Sequence, residues 1–253
     1  MAVGSTDGVA RVGGPANVQG SAFVQPRWTF GPQPMAVRHT RGLMLELLPA
    51  PPVGVGASAK RLLDLGAAMC FLMVAAPLLG AIALMVRIDS PGSVIVRQER
   101  VGRNLRTFKM YKFRSMVPDA DQLQASLAHL NQAHAPLFKI REDPRMTPVG
   151  RLLRRLSLDE LPQLVNVVRG EMSLVGPRPP LQKEVDEDHL RQRLRLRFTP
   201  GMTGLWQVSG RSELPYETML HLDFTYMRKW SPLLDIKILL RTLPAVVRGQ
   251  GAY

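Results

Sequence analysis

Cysteine is almost missing from this sequence: Cys70 is the only one in 253 residues, and it lies in an apolar run. That excludes a disulfide framework, a CxxC redox pair and a cysteine-based zinc site, and it suits catalytic parts that face a reducing compartment. Acidic side chains are scarce as well. The 20 Asp and Glu stand against 33 Lys and Arg, a formal net charge of +13, which predicts an anionic partner: nucleic acid, an acidic membrane surface or phosphorylated substrates. Aromatic residues are few and nowhere cluster as a base-stacking platform requires, and no recognition motif appears, so the reading is of no nucleic acid partner. No GxxxxGK[ST] loop and no strand-linked GxGxxG occurs, and RVGRNL at 100–105 is too short for a phosphate-binding glycine motif. That argues against a nucleoside triphosphatase or a dinucleotide enzyme.

The basic start, apolar block and cleavage site of a secretory signal are also missing. Residues 1–58 are instead rich in Gly, Pro, Ala and Val with repeated breakers, a composition that predicts a disordered tail. Its one apolar patch, Leu43–Leu48, could form a helical turn or touch lipid. The segment after this tail carries the strongest compositional signal in the chain. From Gly66 to Val86 there is no charge, and as helix this length covers about 30 Å, the hydrocarbon thickness of a bilayer. A buried helix of a soluble core would show polar interruption at helical spacing, which is lacking here. Lys60 and Arg61 precede the run and Arg87 follows it, with seven more basic residues between Arg97 and Arg114. Both ends therefore prefer the cytoplasmic side. Pro77, in the middle, removes a backbone hydrogen bond and predicts a sharp bend. A helix that enters, bends at Pro77 and returns satisfies both facts; a kinked span is the competing arrangement.

Downstream, SVIVRQ at 93–98 and TFKMYKF at 107–113 alternate apolar and polar residues as the strands of a hairpin do. Residues 119–132 read as a polar helix. Leu158, Leu161, Leu164, Val165 and Val168 share one helical face that Gly170 would end. The basic and apolar alternation of LRQRLRLRF at 190–198 fits an edge strand better than a surface helix. Two amphipathic helices, Glu217–Trp230 and Leu233–Val247, are expected on either side of Ser231-Pro232, with apolar faces suited to core, membrane interface or a second copy of the chain. A homo-oligomer thus stays open.

The candidate site is SLDELPQL, residues 157–164. Ser157 followed by Glu160 fits a capping box, but that register puts Pro162 deep enough to cost a hydrogen bond. Asp159 as cap leaves Pro162 harmless, and is the favoured geometry. A carboxylate at a helix N-terminus is held ionised, which suits a metal ligand or a nucleophile. Arg154 lies before it, and Arg178 comes after it between prolines in VGPRPP. Arginine fits phosphate bidentately, and a divalent ion between carboxylate and diphosphate would complete a site for phosphoryl transfer.

KFRSM at 112–116, DPRMTPVGRLLRRLSLDELPQLVNVVRGEMSLVGPRP at 143–179, TPGMTGLWQVSGR at 199–211 and the closing LDIKILLRTLPAVVRGQGAY resemble the bacterial sugar transferases, the monotopic polyprenyl-phosphate phosphoglycosyl transferases. The resemblance runs from about Lys60 to Tyr253. It implies an α+β, mainly α, monotopic membrane protein: tail 1–58, a proline-broken re-entrant helix over 59–88, and a catalytic domain over 89–253 on the cytoplasmic face of the bacterial inner membrane. It implies transfer of a hexose 1-phosphate, glucose or galactose favoured, from a UDP-hexose to undecaprenyl phosphate with release of UMP. This is the first membrane step of exopolysaccharide or capsule synthesis. Asp159 and Glu160 would be the catalytic dyad and the Mg2+ ligands, with Asp159 forming a phosphosugar intermediate. Lys112, Arg154 and Arg178 match positions used around the phosphates, and Arg211 is a fourth candidate there without a single assigned role. Ala76 stands before Pro77 where many relatives have Ser, so the bend rests on Pro77 and packing. The chain resembles the minimal catalytic form of the family. The alternative from another class is a non-catalytic, membrane-anchored interaction protein of polysaccharide assembly, which makes no demand on Asp159.

Overall fold

The computed structural model describes residues 51–52, 54–132, 138, 140, 142–187 and 189–249. The Leu43–Leu48 patch and nearly all of the expected tail lie outside them. Helix α1, Gly54–Asp89, begins inside the stretch assigned to that tail and runs for 36 residues, about 54 Å at the helical rise. It is long and apolar enough to cross a membrane, with a mean hydropathy of 2.5 over its most apolar window. Only 17% of that window is buried, which rules out the helix of a closed core.

A single stripe of α1 is covered: Asp64, Ala68, Ala75, Ile82 and Val86, at steps of four and seven residues that keep one face on the domain. The rest presents Leu62, Met69, Met73, Val74, Leu84 and Ile88 outward. Polar bonds fasten its first turns. Lys60 Nζ donates to Asp235 Oδ2 at 2.7 Å and to the Val175 carbonyl at 3.1 Å; Asp64 accepts from Ser173 Oγ at 2.7 Å. Arg61 donates to the Val167 and Val168 carbonyls. The far end is held by Arg114, which donates to the Ser90 and Ser93 carbonyls at 2.6 Å each. The helix is continuous through Pro77, so the break expected there is not an interruption of helix. Proline deletes one donor and the neighbouring bonds carry the helix past it.

Strands β1 (Ile95–Val101) and β2 (Thr107–Phe113) form the expected antiparallel hairpin, with Arg100 opposite Phe108 and Val96 opposite Lys112. The polar helix expected over 119–132 shrinks to one turn, α2 (Ala120–Leu123), and a 3-10 turn at Ala128–Leu130. Only Ala120 of α2 is buried, and a segment with no apolar stripe to bury does not sustain a longer helix. Helices α3 (Pro148–Arg155) and α4 (Gln163–Arg169) come next, the latter closed by Gly170 at φ +81°. Buried Asn166 joins α4 to β2: its Oδ1 accepts from the Tyr111 N–H at 3.0 Å and its Nδ2 donates to the Lys109 carbonyl at 2.8 Å.

Two three-residue strands, β3 (Ser173–Val175) and β4 (Gly201–Thr203), pair in parallel. Glycine is required where they meet, because a Cβ on Gly201 would stand 2.0 Å from Gly176 N. Between them lie α5 (Gln182–Glu187) and α6 (His189–Arg195). The stretch expected as an edge strand is thus helical at its start. Its Gln192 and Arg195 are buried, and the tertiary partners of Arg195 outweigh the two-residue alternation. Helices α7 (Tyr216–Arg228) and α8 (Pro232–Arg248) stand where the two amphipathic helices were expected, α8 capped by Ser231 Oγ accepting from Leu234 N at 3.1 Å. Ile238 packs with Val175, Phe198, Tyr226 and Met227, while Leu233, Ile236, Leu240, Leu243 and Val247 face outward.

Candidate active site

Thr147 starts α3, its Oγ1 accepting from Gly150 N at 3.0 Å with Pro148 in the first turn. Gly150 is packed against β2's continuation: a Cβ there would stand 2.0 Å from the Ser115 carbonyl oxygen. This close approach lets Arg154 Nε donate to Ser115 Oγ at 3.0 Å. After α3 the chain reverses at Ser157, a non-glycine residue at φ +53°, and forms a 3-10 turn over Leu158–Glu160. Leu158 and Leu161, three apart and so on one side of such a turn, pack with Ile82, Val86, Phe113 and Leu153. The carboxylates between them are left to the other side.

Asp159 is therefore not the cap of α4. That helix begins after Pro162, which occupies the cap position without a side-chain bond, and neither Ser157 nor Asp159 caps it. The electrostatic expectation also changes. Burial, with Asp159 only 6% exposed, pushes its carboxyl above the ordinary aspartate value; Lys112 and Arg154 pull it down, and the Glu160 charge pushes it up again. Burial acts on Glu160 too, but the Lys112 ammonium and its hydrogen bond, with Arg178 and Arg211, outweigh it and hold Glu160 below the ordinary range. The pair is split: Glu160 is lowered by its cations, whereas those beside Asp159 do not outweigh its burial.

A cavity of about 700 Å³ gathers the residues expected at the site: Lys112, Arg154, Asp159, Glu160, Arg178 and Arg211 all line it. Lys112 Nζ bonds Glu160 Oε1 at 2.8 Å. Arg211, also at positive φ, donates from its guanidinium to Ser157 Oγ at 2.9 Å. Two strained residues, each costing roughly 1 kcal/mol or more, thus hold one another beside the carboxylates. Arg178 is presented on a firmly held loop, since its four successive carbonyls are gripped from three elements, β4, α6 and β1. Pro177 accepts from Gly201 N, Arg178 from the Arg195 guanidinium, Pro179 from Arg100 and Pro180 from Val101 N.

Sequence reasoning missed what stands behind Arg178. Its NH1 donates to both oxygens of Glu184 at 3.1 and 3.2 Å, and Arg100 lies 4.0 Å from the same carboxylate on the other side. Arg195, which holds the loop carbonyl, pairs with buried Asp223 at 3.2 Å. Burial pushes Asp223 up to about 7 despite Arg195 and Arg178. Gln163, Trp206 and Gln207 also line the cavity; they lie within residues 157–164 and 199–211, where sequence reasoning assigned them no role.

Two adjacent carboxylates would hold Mg2+, which takes one or two protein carboxylates and completes its shell with water and phosphate oxygens. Lys112 and Arg154 do not fully offset the burial of Asp159, and such an ion would supply further positive charge there. Among the described residues no group of three or more His, Cys, Asp or Glu gathers that could form an all-protein cage.

Residues 55–249 match the family model of the bacterial sugar transferases. The galactosyl transferase CpsE of Streptococcus agalactiae is 45% identical over 195 residues, 77% of this chain and 43% of CpsE. The exopolysaccharide production protein ExoY of Rhizobium meliloti is 40% identical over 203 residues, 79% of this chain and 90% of ExoY. The undecaprenyl-phosphate glucose phosphotransferase of Komagataeibacter xylinus is 42% identical over 242 residues, 88% of this chain and 41% of that protein. The chain thus spans under half the length of two of these relatives and nine-tenths of the third.

Proposed function

The chain belongs to the bacterial sugar transferase family, and from that premise we propose that it transfers a hexose 1-phosphate from a UDP-hexose to undecaprenyl phosphate at the cytoplasmic face of the inner membrane. The names of its relatives favour galactose or glucose as the hexose and exopolysaccharide production as the setting, and the reaction proposed is its first membrane step. The observation that carries the reading is the single cavity that brings an acidic pair together with Lys112, Arg154, Arg178 and Arg211, on a domain fastened along an apolar helix. A diphosphate needs the cations and phosphoryl transfer needs a nucleophile.

Asp159 attacks the phosphorus that bears the sugar. A carboxylate oxygen–phosphorus bond forms, the bond to the bridging oxygen breaks, and UMP leaves with that oxygen. An oxygen of undecaprenyl phosphate then attacks the same phosphorus, restoring the Asp159 carboxylate and giving the lipid diphosphate sugar. Lys112 and Arg154, the two cations that already favour the ionised form of Asp159, oppose the burial that disfavours it. Arg178, on its rigid loop, grips phosphate oxygens bidentately. Mg2+ held by Asp159 and Glu160 would neutralise diphosphate charge and keep Asp159 ionised.

Purified protein with Mg2+, UDP-glucose or UDP-galactose and undecaprenyl phosphate should release UMP. Binding to acidic liposomes with no turnover and no retained sugar nucleotide would instead favour a non-catalytic anchor. The stripe of α1 that stays on the domain from Asp64 to Val86 supports a monotopic helix, held in one leaflet with both ends on the domain's side, since a spanning helix would leave the domain. Reporters at Met1 and Tyr253 should both be cytoplasmic; termini on opposite sides would refute the re-entrant arrangement.

A further inference from the structure

The turn after β4 carries two buried polar atoms that the protein leaves without a partner: Gln207 Oε1 and one terminal nitrogen of Arg211. Both residues line the site cavity, beside Trp206, Met202 and Met219. The turn itself is closed by its own backbone: Val208 N donates to the Gly204 carbonyl at 3.3 Å, and Ser209 N and Arg211 N to the Trp206 carbonyl at 3.1 and 3.2 Å. Room for the Gln207 amide is built in, because a Cβ on Gly204 would stand 2.7 Å from its Oε1. The native fold rarely leaves a buried acceptor unused unless something else satisfies it.

From these observations we infer that Gln207 is a specificity-determining residue whose amide, turned from Gly204 into the cavity when the donor binds, hydrogen-bonds a hydroxyl of the donor's hexose, with Trp206 as the apolar wall against the sugar ring. The inference rests on the function proposed above and assigns the part of the cavity that reads the sugar. Place decides the occupant. Arg211 reaches from this same turn to Ser157 Oγ at 2.9 Å, two residues before Asp159. The hexose is joined to the attacked phosphorus through one oxygen, whereas the uracil lies beyond the second phosphate and the ribose. A hydroxyl both donates and accepts, so it satisfies the Gln207 amide whichever way that amide is turned. A site built to bond a hydroxyl discriminates strongly against the analogue that lacks it, because its own polar group is then left buried and unpaired.

The test pairs residue with hydroxyl. Full-length wild type and Gln207→Leu are assayed in detergent with the preferred UDP-hexose and its singly deoxygenated analogues. kcat/KM is read from UMP release, and UMP is measured as a competitive inhibitor. In the wild type one deoxygenated donor should lose roughly tenfold or more. In Gln207→Leu the parent donor should lose as much, that analogue should lose nothing further, and UMP inhibition should be unchanged. Gln207→Asn, which keeps the amide and shortens its reach, serves if the leucine variant does not fold, and should narrow the gap between parent and analogue. Equal losses for every analogue in wild type and variant, or weakened UMP inhibition alongside the parent donor, would overturn the assignment while leaving the transferase reading intact. A wild type that turns over no UDP-hexose would sink both.

Discussion

Asp159→Asn should abolish UMP release, by about 10³-fold or more, as removal of a covalent nucleophile does. The substitution is nearly isosteric, and a neutral side chain at a site where burial already disfavours the charge relieves a cost. The variant should therefore be at least as stable as the wild type while inactive. This separates it from variants that fail by unfolding. Glu160→Gln behaves differently: it puts a neutral amide where Lys112 Nζ bonds a carboxylate oxygen at 2.8 Å, leaves that ammonium without its counter-charge, and should lower the rate with Asp159 still present. Incubation with a UDP-sugar labelled in the sugar and no lipid acceptor should label the wild type and not Asp159→Asn. Label on both proteins, or equal UMP release, would remove Asp159 from the nucleophile's role.

Much of this site was legible in the sequence because its residues sit in short segments whose local rules hold. The hairpin that carries Lys112 alternates cleanly, and its strands fall within two or three residues of the expected bounds. Gly170 ends α4, and the prolines around Arg178 restrict their loop as read. The cap assignment failed because Pro162 was placed inside the helix, when the two leucines at 158 and 161 instead anchor a separate 3-10 turn. That packing is tertiary and leaves no local trace. The burial of Asp159 was hidden for the same reason: the sequence shows a helix start, whereas the packing that raises this carboxyl is tertiary. Residues 190–198 failed through a buried ion pair, Arg195 with Asp223, whose partners lie 28 positions apart. Glu184 shows the limit most plainly, since nothing in QKEVDE marks one glutamate as the counterion of both Arg178, six residues before it, and the distant Arg100.

Glu184→Gln should destabilise the fold by about 3 kcal/mol, the scale seen when one partner of a buried ion pair is removed. Its carboxylate is only 1% exposed and stands between Arg178 at 3.1 Å and Arg100 at 4.0 Å. Burial pushes this carboxyl up, but Arg178, Arg100 and Arg195 together outweigh that and hold it below the ordinary glutamate value of 4.5. A carboxyl depressed in the folded state contributes stability that is present above its unfolded value and lost as pH falls through its folded one. Denaturant unfolding of the two proteins should therefore show a full gap at neutral pH that closes in acid, as Glu184 in the wild type takes up its proton. A gap of the same size throughout would mean that the loss is one of packing and not of charge. Function should track the same residue. With glutamine in place of Glu184 the Arg178 guanidinium keeps at most one of the two bonds that orient it and faces Arg100 with no negative charge between them. kcat/KM should then fall even in protein that remains folded, and Glu184→Asp, which keeps the charge at shorter reach, should recover part of both losses.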